Sequence, residues 1–92
     1  MLEVFFTTTF KKDYKLMKKR GYDMKQLDNV IHKLRNHENL DDKYRDHALT
    51  GNFVGFRECH IKPDWLLIYQ INNGKLLLIL SQTGTHADLF GK

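Results

Sequence analysis

Trp65-Leu66-Leu67-Ile68-Tyr69-Gln70-Ile71-Asn72-Asn73-Gly74-Lys75-Leu76-Leu77-Leu78-Ile79-Leu80-Ser81-Gln82-Thr83 is the stretch whose reading decides the fold. From Trp65 to Ile71 only Gln70 interrupts an apolar run that does not alternate. Such continuity marks a strand buried on both faces, hence a central one. Asn73-Gly74 is a strong type I′ hairpin signal, so the run predicts Trp65–Ile71 paired antiparallel with Leu76–Thr83. Gly84 breaks the second strand, and His86–Phe90 reads as a short helical or irregular tail. Upstream, Lys62-Pro63-Asp64 reads as a turn, and Phe53–Ile61 as a third strand folding back on the central one.

The N-terminal half changes period. Leu2–Phe6 is a β-branched and aromatic run suited to a short strand. Thr8 or Thr9 can cap a helix that runs to Arg20 and ends at Gly21, with Phe10, Tyr14 and Met17 on one face. Asp23 opens a second helix, Gln26 standing three residues on as its capping-box partner. Leu27, Val30, Ile31 and Leu34 follow at i, i+3, i+4 and i+7. Residues 36–52 are polar and mixed in sign and read as a long connection of the kind that often carries function. The order β-α-α-β-β-β predicts an α+β fold: a helical hairpin packed on one face of a curled, mainly antiparallel sheet.

Ninety-two residues, 41% hydrophobic and 28% charged, make one small domain, residues 1–92, with no linker to divide it. The single cysteine, Cys59, excludes a disulfide scaffold and suits a reducing compartment. No apolar run exceeds five residues, against roughly 20 for a membrane span, and the N-terminus lacks the pattern of a signal peptide. The expectation is a soluble, cytoplasmic protein. Residues 1–20 hold six bases (Lys11, Lys12, Lys15, Lys18, Lys19, Arg20) and two acids, which equals the whole formal charge of +4. This stretch is either a solvated helix face or a docking face for a polyanion or an acidic partner.

Three histidines lie where regular structure is interrupted: His47 in the connection, His60 at a strand end, and His86 just past Gly84. Asp64 and Trp65 follow His60 across the turn. A metal centre fits poorly, because neighbours in a strand point to opposite faces and Cys59 and His60 cannot easily ligate together; zinc spacings are absent as well. Gly51 and Gly55 do not form a phosphate loop, and no serine elbow or cysteine-nucleophile motif is present. His32 and His37 favour the end of the second helix and read as structural. General acid–base chemistry without a metal fits best. RNA carries its own nucleophile, the 2′-hydroxyl, and imidazoles can remove that proton and protonate the leaving oxygen near neutral pH. A basic surface and a stacking aromatic would hold the strand.

Tyr44-Arg45-Asp46-His47-Ala48-Leu49-Thr50-Gly51, then Gly55-Phe56-Arg57-Glu58-Cys59-His60-Ile61-Lys62-Pro63-Asp64-Trp65-Leu66-Leu67-Ile68-Tyr69, then Thr83-Gly84-Thr85-His86-Ala87-Asp88-Leu89-Phe90 closely resemble the YafQ-type toxins of the RelE/ParE superfamily. The resemblance spans essentially the whole chain in order. It implies a RelE-like α+β domain and an mRNA endonuclease without a cofactor. Such enzymes commonly act in the ribosomal A site and are neutralised by a cognate antitoxin, expected here to be acidic. The family's functional positions fall on His47, His60, Asp64, Trp65, His86 and Phe90. Where the family carries an arginine before Thr-Gly-Thr-His, this chain has Gln82, which implies that Arg57, Arg45 or Lys62 substitutes or that the reaction is slower. A non-catalytic toxin of the same fold that blocks a protein target, as gyrase-inhibiting ParE relatives do, is the alternative. A pure blocker has no need of the histidine–aspartate set. An inactive RNA-binding module is the third reading, with Gln82 its only argument.

Overall fold

The computed structural model describes residues 1–91. In chain order they form β1 (Glu3–Phe6), α1 (Thr8–Lys19), α2 (Met24–Arg35), β2 (His47–Ala48), β3 (Arg57–Lys62), β4 (Trp65–Asn72), β5 (Leu77–Gly84) and α3 (His86–Phe90). Short 3-10 turns at Asp42–Tyr44 and Gly51–Phe53 flank β2. The fold is α+β, a five-stranded mixed sheet in the order β1-β5-β4-β3-β2. β1 lies parallel to β5, and every other pair is antiparallel.

β4 is central, as its unbroken apolar run requires. Trp65, Leu67 and Tyr69 join the helix-covered core, while Leu66 and Ile68, also fully buried, belong to the opposite face. Phe10 and Met17 of α1 and Leu27, Val30 and Leu34 of α2 fill that core against Cys59, Ile61, Leu78 and Leu80. Tyr14 and Ile31, which share the helices' apolar stripes, are only partly buried. Gly21, at φ +89°, ends α1: the Tyr22 N–H reaches the Met17 carbonyl at 3.2 Å and the Gly21 N–H reaches that of Lys18 at 3.0 Å. This left-handed closure requires a residue without a Cβ penalty.

Four local expectations need correction. The cap of α1 is Thr7, whose hydroxyl accepts from the Phe10 N–H at 3.0 Å. The expected two-residue turn at Asn73-Gly74 is instead a four-residue connection between Asn72 and Leu77, with Leu76 taking the positive φ of +55°. The third strand begins at Arg57 rather than Phe53, because Gly55 turns the chain at φ +93° and Phe53 ends a 3-10 turn. The connection itself contributes a strand, His47–Ala48, which pairs with β3.

One irregularity sets up the catalytic face. Ile68 pairs with Gln82 but Tyr69 pairs with Leu80, so Ser81 is an extra residue in β5. A bulge reverses the alternation beyond it. Leu78 and Leu80 face the helices, and after the bulge Thr83 does so, leaving Gln82 on the open face. The Thr7 hydroxyl donates to the Ser81 carbonyl at 2.8 Å, tying the bulge to the start of α1.

Candidate active site

Alternation along β3 sends Cys59 and Ile61 into the core and turns Glu58 and His60 to the opposite face. Register carries that face across the sheet. His47 stands opposite Glu58, Glu58 opposite Ile68, and Ile68 opposite Gln82. The neighbouring row runs from His60 through Leu66 to Gly84, one step before the α3 residue His86. Three histidines that are remote in sequence therefore meet. The His60 ring centre lies 6.4 Å from that of His47 and 5.7 Å from that of His86.

The three rings are held differently. Arg45 occupies the left-handed region at φ +49°, and the His47 Nδ1–H donates to its carbonyl at 2.6 Å. A neutral ring held at Nδ1 presents a bare, basic Nε2, here on a half-exposed side chain. His60 lies between two acceptors, the Pro63 carbonyl 3.2 Å from Nδ1 and Glu58 Oε1 3.2 Å from Nε2. Neither partner can donate, so the neutral ring makes one of these bonds and only the imidazolium makes both. His86 donates twice to the same oxygen of Asp64, from its backbone N–H at 2.9 Å and from Nδ1–H at 2.5 Å. These bonds, the backbone one foremost, hold the Asp64 carboxyl below the usual carboxylate range. Asp64 is therefore ionised at neutral pH and orients His86; its lowered pKa makes it a weak base. The bond at Nδ1 fixes the ring and leaves Nε2 pointing away from Asp64.

The corner bearing His86 is rigid. Thr85 and Asp88 close a capping box at the start of α3, with the Asp88 N–H reaching the Thr85 hydroxyl at 3.1 Å and the Thr85 N–H reaching Asp88 at 2.9 Å. Arg20, at the end of α1, grips both Asp88 oxygens at 2.7 and 3.2 Å. Its guanidinium is the main reason that the Asp88 carboxyl falls to about 2. Gly84, which ends β5, is packed. A Cβ there would come within 3.0 Å of the Asp88 side chain, so glycine serves close approach.

The other sequence-derived candidates separate. Gln82 lies on the site face, in the row of Glu58. Arg57 does not: alternation turns it from Glu58 and His60 toward Asp46 (3.2 Å), which also accepts from the Tyr69 hydroxyl at 2.7 Å. It therefore cannot stand in for the family arginine. Trp65, a functional position by the family resemblance, is 1% exposed, packs edge-on to Tyr22 and donates from Nε1 to Thr83 at 3.0 Å. Turning it outward would forfeit roughly 1.5–3 kcal/mol of burial as well as that bond. Its role is to anchor β5 just before His86. Phe90 meets Phe53 edge-on at 5.6 Å and closes one side of the face. Lys62 is exposed at the strand end, lining a cleft with Lys43, Tyr44, Arg45 and His60.

Glu58 and Phe53 were missed in the sequence. Glu58 is 6% exposed, and besides His60 it lies 3.6 Å from His47 Nε2. Its signal was available: it stands two residues before His60 in a strand, hence on the same face. Cys59 has no part in the chemistry, since burial pushes its thiol up and away from the reactive thiolate. Among the described residues, no group of three or more His, Cys, Asp and Glu side chains is arranged to hold a metal ion, and no helix is long and apolar enough to cross a membrane.

Known proteins share this fold along essentially the whole chain. A family described as the bacterial toxin of type II toxin–antitoxin systems, YafQ, matches residues 2–91. The mRNA interferase toxin YafQ of Escherichia coli K12 is 40% identical over 90 residues, covering 97% of this chain and 96% of that protein. The E. coli DinJ–YafQ complex contains a chain that superposes with a TM-score of 0.89 at 39% identity, covering 99% of this chain and all of that one. A metal-bound toxin from Helicobacter pylori superposes with a TM-score of 0.92 at 43% identity, covering 98% of this chain and all of that one. A full-length match of this kind places the chain in the YafQ family of type II toxin–antitoxin toxins.

Proposed function

We propose that this protein is a metal-independent endoribonuclease that cleaves mRNA within the cytoplasm, engaged at the ribosomal A site, and is silenced by a cognate acidic antitoxin. The observation that carries the reading is the opposite tethering of two histidines about one face. His47 is held at Nδ1 by a carbonyl and offers a bare nitrogen. His86 is held at Nδ1 by an ionised carboxylate and offers a proton. Acid–base cleavage of RNA needs one of each.

His47 Nε2 takes the proton from the 2′-hydroxyl. The freed oxygen attacks the adjacent phosphorus, the bond from phosphorus to the 5′-oxygen breaks, and His86 Nε2–H protonates that leaving oxygen. The products are a 2′,3′-cyclic phosphate and a 5′-hydroxyl. Asp64 keeps the His86 ring aimed, and Glu58 fixes His60 beside both. Gln82 can give only an uncharged amide donor to the phosphorane, which supports a slower reaction than an arginine would allow. Family membership and the histidine set together favour this reading over a gyrase-blocking toxin. The test is the purified protein on a defined RNA, with and without ribosomes, with the cleaved ends mapped. Cleavage should persist in EDTA and show a bell-shaped pH–rate profile. Products carrying 5′-phosphates, or activity lost to chelation, would overturn the mechanism.

For the antitoxin, the supporting feature is an apolar groove of about 420 Å³ lined by Phe6, Phe10, Tyr14 and Ile31, with Lys11 and Lys15 on its rim. An acidic amphipathic segment that folds on binding suits it. Reversing Lys15 and Lys18 to glutamate should slow association with the purified antitoxin, most at low salt, because charge complementarity acts chiefly on the encounter rate. Unchanged low-salt association would remove the basic helix from the interface.

A further inference from the structure

A second cleft, of about 570 Å³, opens beside the histidine face. Its walls are Lys43, Tyr44, Arg45, His60, Ile61, Lys62 and Pro63. Three of these are cations without a carboxylate among them, and Lys33 and Lys43 both approach the Tyr44 ring, at 5.9 and 5.2 Å. Three cations around one concavity give it a positive local potential that attracts an anion such as a phosphate.

Its position relative to the histidines gives it a direction. The walls include His60 and Arg45, the residue whose carbonyl holds His47, and include neither His86 nor Asp64. Under the mechanism above, His47 serves the nucleotide whose 2′-hydroxyl attacks, and His86 serves the nucleotide that leaves through its 5′-oxygen. The strand must then run from the His47 side, upstream, to the His86 side, downstream. We propose that the Lys43–Arg45–Lys62 cleft binds the phosphodiester immediately 5′ of the attacking nucleotide, so that the enzyme grips the upstream part of the RNA strand. The polarity rests on the proposed acid–base assignment; the anion site itself does not.

The chemistry of a phosphodiester is shared by the message and by ribosomal RNA, so the test uses short RNA alone. Dinucleotides carrying a 2′-deoxy sugar at the attacking position bind without being cut. Wild type is compared with a K43Q/K62Q double variant, two exposed positions, after circular dichroism establishes equal folding. A 5′-terminal phosphate should tighten binding to wild type by roughly 5- to 10-fold at low salt, and this gain should fall to near unity in the variant. The salt slope of log affinity should shrink by about 0.7, the value for one phosphate contact on a single strand. A 3′-terminal phosphate should give the same increment in both proteins. Equal 5′ gains in both proteins would overturn the cleft as a phosphate site. So would a 5′ phosphate that adds nothing in wild type while ribosome binding alone falls in the variant, which would give the cleft to ribosomal RNA. If the variant loses the 3′ increment instead, the polarity is overturned and the acid–base assignment with it, leaving an anion site of opposite sense.

Discussion

The two ends of the catalytic face are built by different means. His86 sits at a corner bolted from several directions: a capping box on α3, the Arg20–Asp88 clasp to α1, the Trp65–Thr83 bond under β5 and the double donation to Asp64. His47 sits on a strand of two residues between two 3-10 turns, fixed by a single backbone carbonyl and a distant contact to Glu58. On the proposed assignment, the acid is preorganised by packing and the base by one turn. A proton donor to a leaving oxygen must be aligned with the breaking bond, whereas the base meets a hydroxyl on a flexible sugar and tolerates more play. On this view, damage at the His86 corner should act on the chemical step, and damage at the His47 end should act partly through the disposition of the loop.

The largest effect tests that asymmetry directly. His86→Ala should lower the cleavage rate by roughly 100- to 10,000-fold, the usual cost of losing an acid–base group. Single-turnover measurements should show no change in RNA affinity, with the thermal transition and antitoxin binding retained because the ring is half-exposed. If His47→Ala instead costs far more than His86→Ala, the roles assigned to the two ends are wrong.

The sequence discloses these two ends unequally. The histidine corner after β5 is legible from Gly84-Thr85-His86 because its neighbours are near in the chain, and the hairpin of β4 and β5 follows from local apolar continuity. The fold class and the helices follow from period alone. What could not be read depends on register. The bulge at Ser81, which turns Gln82 toward the site, leaves no mark in composition, and neither does the pairing that brings His47 opposite Glu58. Trp65 and Arg57 lie on the core-facing side of their strands, a placement that strand parity sets and side-chain type does not disclose. His47–Ala48 was concealed because a strand of two residues has no period.

Glu58→Gln addresses the link between the two ends. It keeps the shape but removes the charge that fixes His60 and faces His47. Hydrogen bonds to charged groups are worth about 1.5–3 kcal/mol, so the rate should fall by about 10-fold or more, with an altered acidic limb of the pH profile, the limb that reports the base. A rate and profile like wild type would reduce Glu58 to a packing residue. Gln82→Arg should act in the opposite direction. It places a charged donor on the site face, where Arg57 cannot supply one, and should raise kcat by about 10-fold with RNA binding similar. A fall in rate would mean that the phosphorane lies elsewhere on this face.

The smallest effect is the most specific to the His86 corner. Because Arg20 depresses the Asp88 carboxyl to about 2, the folded state binds that proton less readily than the unfolded chain, whose carboxyl titrates near 3.9. The clasp therefore adds stability that is fully present above about pH 4 and is lost as the pH falls toward 2. The pair is partly exposed, so its worth at pH 7 is that of a surface ion pair, about 0.2–1 kcal/mol. Arg20→Gln should lower the thermal midpoint slightly at pH 7 and less at pH 2, so the difference between the two proteins narrows as acid is added. Its effect on activity should be a few-fold loss in kcat with KM unchanged, restored in part by Arg20→Lys, since the clasp orients α3 and touches no substrate. Adding salt should narrow the gap between Arg20→Gln and wild type, because a surface ion pair is screened while the capping box is not. If the kcat loss instead survives at high salt, where the pair contributes little, Arg20 acts on RNA directly, and the rigidity of this corner comes from Thr85, Gly84 and Trp65 alone.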